Sequence, residues 1–209
     1  MVILGICGFQ GAGKDTFSDY LVKHYGFIKY TFATAIKDIV SILFSWNRKL
    51  LEGDTAESRI FRETVDLWWS KKLGITDLTP RKMLQLVGTE LFRKHFDSNI
   101  WLYSIEKNIL NELNSNPNTN IIISDCRFPN EINMLKNFDC KFIHIQRNLP
   151  SWFELYKSGI DCIEATKLHE SEIIWIRQEF DYTINNVETK ELFEKQIILF
   201  IKNNFNLGH

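Results

Sequence analysis

Cysteine is scarce and unpatterned in this chain. Cys7, Cys126, Cys140 and Cys162 show no C-x-x-C spacing, and the five histidines do not cluster with them, so neither a disulfide framework nor a structural zinc site is expected. Cys7 and Cys140 fall in apolar, strand-like segments where a small hydrophobe fits, and the four read as reduced thiols. The formal net charge is −1 and no long basic block occurs, which argues against an extended nucleic-acid surface while still allowing a basic pocket. No apolar run approaches the roughly 18 residues of a membrane span, and no signal-like segment precedes the first apolar run. Internal repeats and inter-domain linkers are also missing. The expectation is a soluble, cytoplasmic protein whose partners are small molecules, not nucleic acid or membrane.

What is present is enough for a folded core. Hydrophobic residues make up 44% and aromatics 13% of 209 residues, which suits a single α/β domain with a helical insertion. The organising stretch is MVILGICGFQGAGKDT at the start. Val2 to Cys7 is a nearly continuous apolar run, as a strand covered on both faces requires. Gly8, Gly11 and Gly13 follow at once in the pattern G-x-x-x-x-G-K. There the missing Cβ atoms let backbone amides converge on a polyphosphate, and Lys14 adds a mobile ammonium. A helix starting near Gly13 would aim its positive end at the same anion. One residue departs from the motif. Asp15 stands where Ser or Thr would bind Mg²⁺, with Thr16 next in line, and a carboxylate there is expected on the metal side because it would repel bare phosphate.

Apolar spacing predicts helices over 13–25, Ala33–Phe44, Ile60–Leu73, 79–93, Trp101–Leu113, Phe128–Phe138 and Glu188–Lys202. Strands are predicted at Phe27–Phe32, Ile121–Ile123, Lys141–Gln146 and Phe180–Ile184. Residues 46–114 read as a helical insertion, and the polar segment 148–172 as a lid. Thr79–Pro80 signals a helix start, with Leu84, Val87 and Leu91 as its buried stripe. Arg81, Gln85, Gly88 and Phe92 run beside that stripe and Thr89 and Arg93 lie farther around, so its polar edge is a prospective pocket wall, although both arginines are equally readable as surface charges. Lys37 stands near a second substrate position or is a solvated helix lysine. Trp68 and Trp69 read as packing residues.

Charged groups recur at predicted strand ends, where ligands gather in nucleotide-binding α/β sheets. Asp125 follows Ile121–Ile123 at the place of an acid that holds Mg²⁺ or its water shell, and Arg127 is two residues on, able to grip phosphate through its planar fork. A structural Asp–Arg pair is the alternative. Arg147 follows Lys141–Gln146. Four arginines (81, 93, 127 and 147) favour an anionic acceptor, and a phosphate acceptor needs no general base.

Taken together, GFQGAGKDT at 8–16, FATAIK at 32–37, TPRKMLQLVGTELFR at 79–93 with Trp101 following, SDCRFPNE at 124–131 and HESE at 169–172 resemble the deoxynucleoside monophosphate kinases of bacteriophages and large DNA viruses. The resemblance implies a P-loop kinase fold with a five-stranded parallel sheet, ATP and Mg²⁺ as cofactors, a deoxynucleoside 5′-monophosphate as acceptor, and a homodimer. It makes Gln10, Gly11, Ala12, Gly13, Lys14, Asp15 and Thr16 the ATP-phosphate loop. Lys14, Asp125, Arg127 and Arg147 become catalytic candidates, with Asp15, Thr16 and Asp125 on the metal side. Lys37, Arg81, Gln85, Thr89, Arg93, Trp101, Arg127, His169 and Glu170 become acceptor-side candidates. The Gly-Lys-Asp pattern also resembles animal-type phosphomevalonate kinases, and a non-catalytic nucleotide binder is the rival from another class.

Overall fold

A computed structural model describes residues 1–186 and 189–205. Two compact units are present: Met1–Thr31 together with the chain from Ser104 on, and Phe32–Tyr103.

In chain order the elements are β1 (Ile3–Cys7), α1 (Lys14–Tyr25), β2 (Ile28–Tyr30), α2 (Ala33–Phe44), α3 (Ala56–Glu63), α4 (Leu67–Leu73), α5 (Pro80–Gln85), α6 (Ile100–Ser115), β3 (Ile121–Ile123), α7 (Pro129–Lys136), β4 (Lys141–Gln146), α8 (Phe153–Lys157), α9 (Ile163–Thr166), α10 (Glu170–Ile173), β5 (Tyr182–Asn185) and α11 (Lys190–Phe205). The first unit is built on a five-stranded sheet of order β2-β3-β1-β4-β5, parallel throughout. Ile3 lies opposite Ile121 and Cys7 opposite His144, so the phosphate-loop strand is central. Every residue of β1 and β3 is buried, which is why both read as unbroken apolar runs. Leu4, Ile6, Phe17, Leu21, Ile143, Ile145, Phe193, Ile197 and Ile201 share one core.

α11 turns Phe193, Ile197 and Ile201 inward, a strict i, i+4, i+8 row, whereas Leu192 is 41% exposed. The predicted first residue of that helix, Glu188, lies outside the described residues. No helix among the described residues is long and apolar enough to cross a membrane.

The second unit has its own core of Val40, Phe44, Trp46, Leu51, Leu78, Met83 and Val87. Two expectations are corrected here. The helix predicted over Ile60–Leu73 is two helices, because the chain turns extended at Thr64 and Asp66 restarts it as an N-cap, accepting from the Trp69 amide at 3.0 Å. The helix begun at Thr79, whose hydroxyl caps the Lys82 amide at 3.2 Å, widens into a π helix over Leu86–Arg93. That wider turn rotates the side chains, so Thr89 is buried and Leu91, predicted in the stripe, is 54% exposed. Trp69 donates to the Phe44 carbonyl at 3.1 Å, a packing role.

Candidate active site

The turn after β1 is shaped by glycine. Gly8, Gly11 and Gly13 have φ of 149°, 77° and 105°, and a Cβ on Gly8 would stand 2.5 Å from the Ile145 carbonyl oxygen. Only glycine fits that approach. Gly13 is also the N-cap of α1 and offers no side chain to its first amides, so the open helix end faces the turn. Asn186, just beyond β5, donates its side-chain amide to the Ala12 carbonyl at 2.9 Å, while its own backbone amide donates to Gln146 at 2.8 Å. Gln10 and Gly11 are exposed at the loop tip, and Thr16 is half-buried in the first turn of α1.

Lys14 folds back into the loop. Its Nζ donates to the carbonyl oxygens of Gly8 and Phe9, both at 2.8 Å. Burial, reinforced by the nearby Arg127 charge, lowers its pKa from the ordinary value to about 8. Glu172 and Asp125 act on both cations and offset part of their repulsion, and a bound polyphosphate would offset more of it.

Asp15, the departure from the motif, points its carboxylate to Lys29 on β2 at 3.0 Å, and Lys29 also holds Asp19 at 2.9 Å. Burial works against the Lys29 charge, and the two carboxylates outweigh it, leaving its pKa raised.

The acid and arginine after β3 sit between anchored amides. Ser124 donates its amide to the Tyr30 carbonyl at 3.2 Å and Cys126 donates to that of Ile6 at 3.1 Å, so Asp125 leaves the sheet at the carboxyl end of the central strands. Arg127 is held twice. Its backbone amide and that of Phe128 donate to the Glu131 carboxylate at 2.7 and 3.0 Å, and Glu131 is buried. Its guanidinium Nη1 donates to Glu172 Oε1 at 2.8 Å and to the Ser171 carbonyl at 3.1 Å. Burial works against that charge, and Glu172, with Asp125 and Glu131 adding to it, more than offsets it, keeping the guanidinium above its ordinary pKa. Arg147 is exposed after β4. His169 caps α10 through Nδ1, and Glu170 is half-buried as the first residue of that helix. Residues 148–172 hold α8, α9 and the start of α10. Trp152 and Phe153 from this segment, with Trp175, surround Phe9 of the loop at ring-centroid distances of 6.0, 6.0 and 5.1 Å.

In the second unit, Lys37 pairs with Glu52 at 2.5 Å and Arg81 pairs with Glu63. Arg93 donates to the Ser98 carbonyl at 3.3 Å. Gln85 is half-buried and Thr89 buried. Trp101 is 3% exposed, and its indole N–H donates to the Gly88 carbonyl at 2.9 Å.

Sequence reasoning did not find Lys29, Glu131, Glu172 or Asn186. Of these only Glu131 carried a local signal, three residues after Phe128 and following Pro129, as a first-turn acid does. The other three matter through partners distant in the chain.

The glycine cradle fits a polyphosphate: the Ala12 amide donates within the loop to Phe9, and the lysine is held by carbonyls that phosphate oxygens can replace. Among the described residues no group of three or more His, Cys, Asp or Glu could hold a metal ion.

A phosphate loop on the central strand of a 2-3-1-4-5 parallel sheet, with a buried lysine and an acid and arginine at the neighbouring strand end, defines a P-loop kinase. A family model described as "Deoxynucleotide monophosphate kinase" matches residues 64–151. A protein of Acanthamoeba polyphaga mimivirus, "Putative deoxynucleotide monophosphate kinase", is 31% identical over 211 aligned positions, covering 97% of both chains. The "Deoxynucleoside-5'-monophosphate kinase" of Escherichia phage T5 is 27% identical over 65% of this chain and 72% of its own. Among solved structures, a shikimate kinase from Aquifex aeolicus aligns over 99% of this chain and 100% of its own at 17% identity, with a TM-score of 0.46. The chain belongs to the deoxynucleotide monophosphate kinase family.

Proposed function

We propose that this kinase transfers the γ-phosphoryl group of ATP to the 5′-phosphate of a deoxynucleoside monophosphate, releasing ADP. The observation that carries the reading is the Lys14 ammonium folded into the glycine cradle on the Gly8 and Phe9 carbonyls, with the Arg127 guanidinium close enough to help lower its pKa. The loop from Gln10 to Thr16 would wrap the ATP phosphates with its amides. Lys14 would exchange the Gly8 and Phe9 carbonyls for β- and γ-oxygens, and Arg127 would neutralise charge on the group in transfer. Arg147, exposed at the next strand end, is assigned to the phosphate chain as an outer cation.

Thr16 and Asp125 are the residues assigned to Mg²⁺ and its water shell. Asp15 would join them only by leaving Lys29. Mg²⁺ held there would supply positive charge that neutralises the phosphates. The acceptor monophosphate brings its own nucleophilic oxygen, so no side chain has to remove a proton from it.

On the acceptor side we assign Lys37, Arg81, Gln85, Thr89 and Arg93. Lys37 and Arg81 would trade Glu52 and Glu63 for substrate phosphate. Trp101 would act through Gly88 by fixing the π helix. His169 and Glu170, at the start of α10, are also assigned to the acceptor side.

The test is ADP release measured against each of the four deoxynucleoside monophosphates, with ribonucleotides and phosphomevalonate as controls. Transfer to at least one deoxynucleotide, well above every control, is expected; ADP release with none of them overturns the proposal.

A further inference from the structure

The segment His169-Glu170-Ser171-Glu172 ends against Arg127. Nη1 of that arginine donates to Glu172 Oε1 at 2.8 Å and to the Ser171 carbonyl at 3.1 Å, with the Ser171 hydroxyl at 3.5 Å. The turn that presents these oxygens is itself held on both sides. Before it, His169 Nδ1 accepts from the Ser171 amide at 3.2 Å and lies 2.8 Å from the Ser171 hydroxyl. After it, the Trp175 indole donates to the Glu172 carbonyl at 2.9 Å, and Trp175 is buried against Phe9.

The ion pair is not well placed to be a stability device. The Arg127 and Glu172 side chains are 34% and 20% exposed, and pairs of that exposure contribute little to folding. Its effect is geometric. A free arginine has rotamer entropy to lose each time it must meet a phosphoryl group, and a guanidinium fixed through one nitrogen has already lost it. The main chain of Arg127 is fixed separately by Glu131, so Glu172 governs the side chain alone.

We propose that Glu172 is a positioning residue that acts through Arg127, and that His169 supports it by fixing the Ser171 turn. The inference rests on the kinase reading above, in which Arg127 serves the transferred group.

The test uses the full chain and the best acceptor found above. Glu172→Gln, nearly isosteric, is expected to lower kcat by about ten- to a hundredfold, with the KM for ATP within about threefold of wild type. In an Arg127→Ala background the same change is expected to alter kcat by less than about twofold, because the group it acts through is gone. Glu172→Asp, which keeps the charge, is expected to fall between wild type and Glu172→Gln. A readout independent of turnover is the ¹⁵N spectrum of the arginine side chains, where the Arg127 Nη protons should give a slowly exchanging signal that Glu172→Gln abolishes. A wild-type kcat in Glu172→Gln, an equal loss in both backgrounds, or a retained Arg127 signal overturns the proposal. A wild type with no transfer and a signal lost in Glu172→Gln overturns the kinase reading and leaves the Glu172–Arg127 coupling standing.

Discussion

The Asn186 side chain donates to the Ala12 carbonyl at 2.9 Å across a sequence separation of 174 residues, tying the end of β5 to the phosphate loop. The contact is buried, and a Cβ on Gly13 would lie 2.5 Å from Asn186 Nδ2. Loop and asparagine are therefore shaped to each other.

Asn186→Ala removes the donor and leaves a buried carbonyl unpaired. We expect a loss of about 1–3 kcal/mol in urea unfolding and a weaker affinity for ATP than for the acceptor. Equal weakening of both substrates would place Asn186 outside the ATP site.

The lysine of the loop titrates near working pH. With its pKa lowered to about 8, Lys14 in the free protein loses its proton as pH rises through that value. A bound polyphosphate favours the charged form, so above about pH 8 ATP binding should take up a proton. Calorimetry in buffers of different ionisation enthalpy at pH 8.5 measures it. Lys14→Arg, always charged, should abolish the uptake, and proton release by wild type would contradict the assignment. The sign for stability is the reverse of the usual lysine: the unfolded chain binds the extra proton between about 8 and the ordinary lysine value, so the penalty on the ligand-free fold is relieved as pH rises there.

His144 lies on β4, fully buried among Phe153, Trp175 and Phe180, with Nδ1 3.2 Å from Gln146 Nε2. Burial, with Lys157 and Lys14 adding to it, lowers its pKa to about 4. The unfolded chain therefore binds a proton below about 6.5 that the native chain refuses until about 4, and stability falls through that window. At pH 5 the loss should be about 2 kcal/mol relative to neutral pH. A pH series of melting temperatures checks it: His144→Gln should flatten the decline between pH 6.5 and 4.5, and an unchanged slope would refute it.

The legible part of the molecule was the part encoded locally. β1 and β3 are buried on both faces, so each shows as an unbroken apolar run, and the strand ends could be located together with Asp125 and Arg127. Thr79 and Pro80 announced their helix for the same reason. What escaped depends on geometry that builds up over distance. One i→i+5 turn moved Leu91 outward and Thr89 inward, and nothing in the spacing of Leu84, Val87 and Leu91 signals it. Asn186 gave no sign in the sequence, and Glu172 looked like one acid in a polar segment, because their partners are Ala12 and Arg127. The break between α3 and α4 was written in Asp66, a capping residue inside an otherwise periodic stretch.

Lys29 gives the unusual third residue of the Gly-Lys-Asp sequence a different meaning. A lone carboxylate at the mouth of the cradle would set up a repulsive field against an arriving polyphosphate. Drawn onto the Lys29 ammonium, which Asp19 shares, it is partly neutralised, and its field on the cradle is weaker. The departure from the common motif is thus a property of two positions 14 residues apart, one on a helix and one on a strand. Asp15 transplanted alone into an ordinary phosphate loop would bring the repulsion without its remedy.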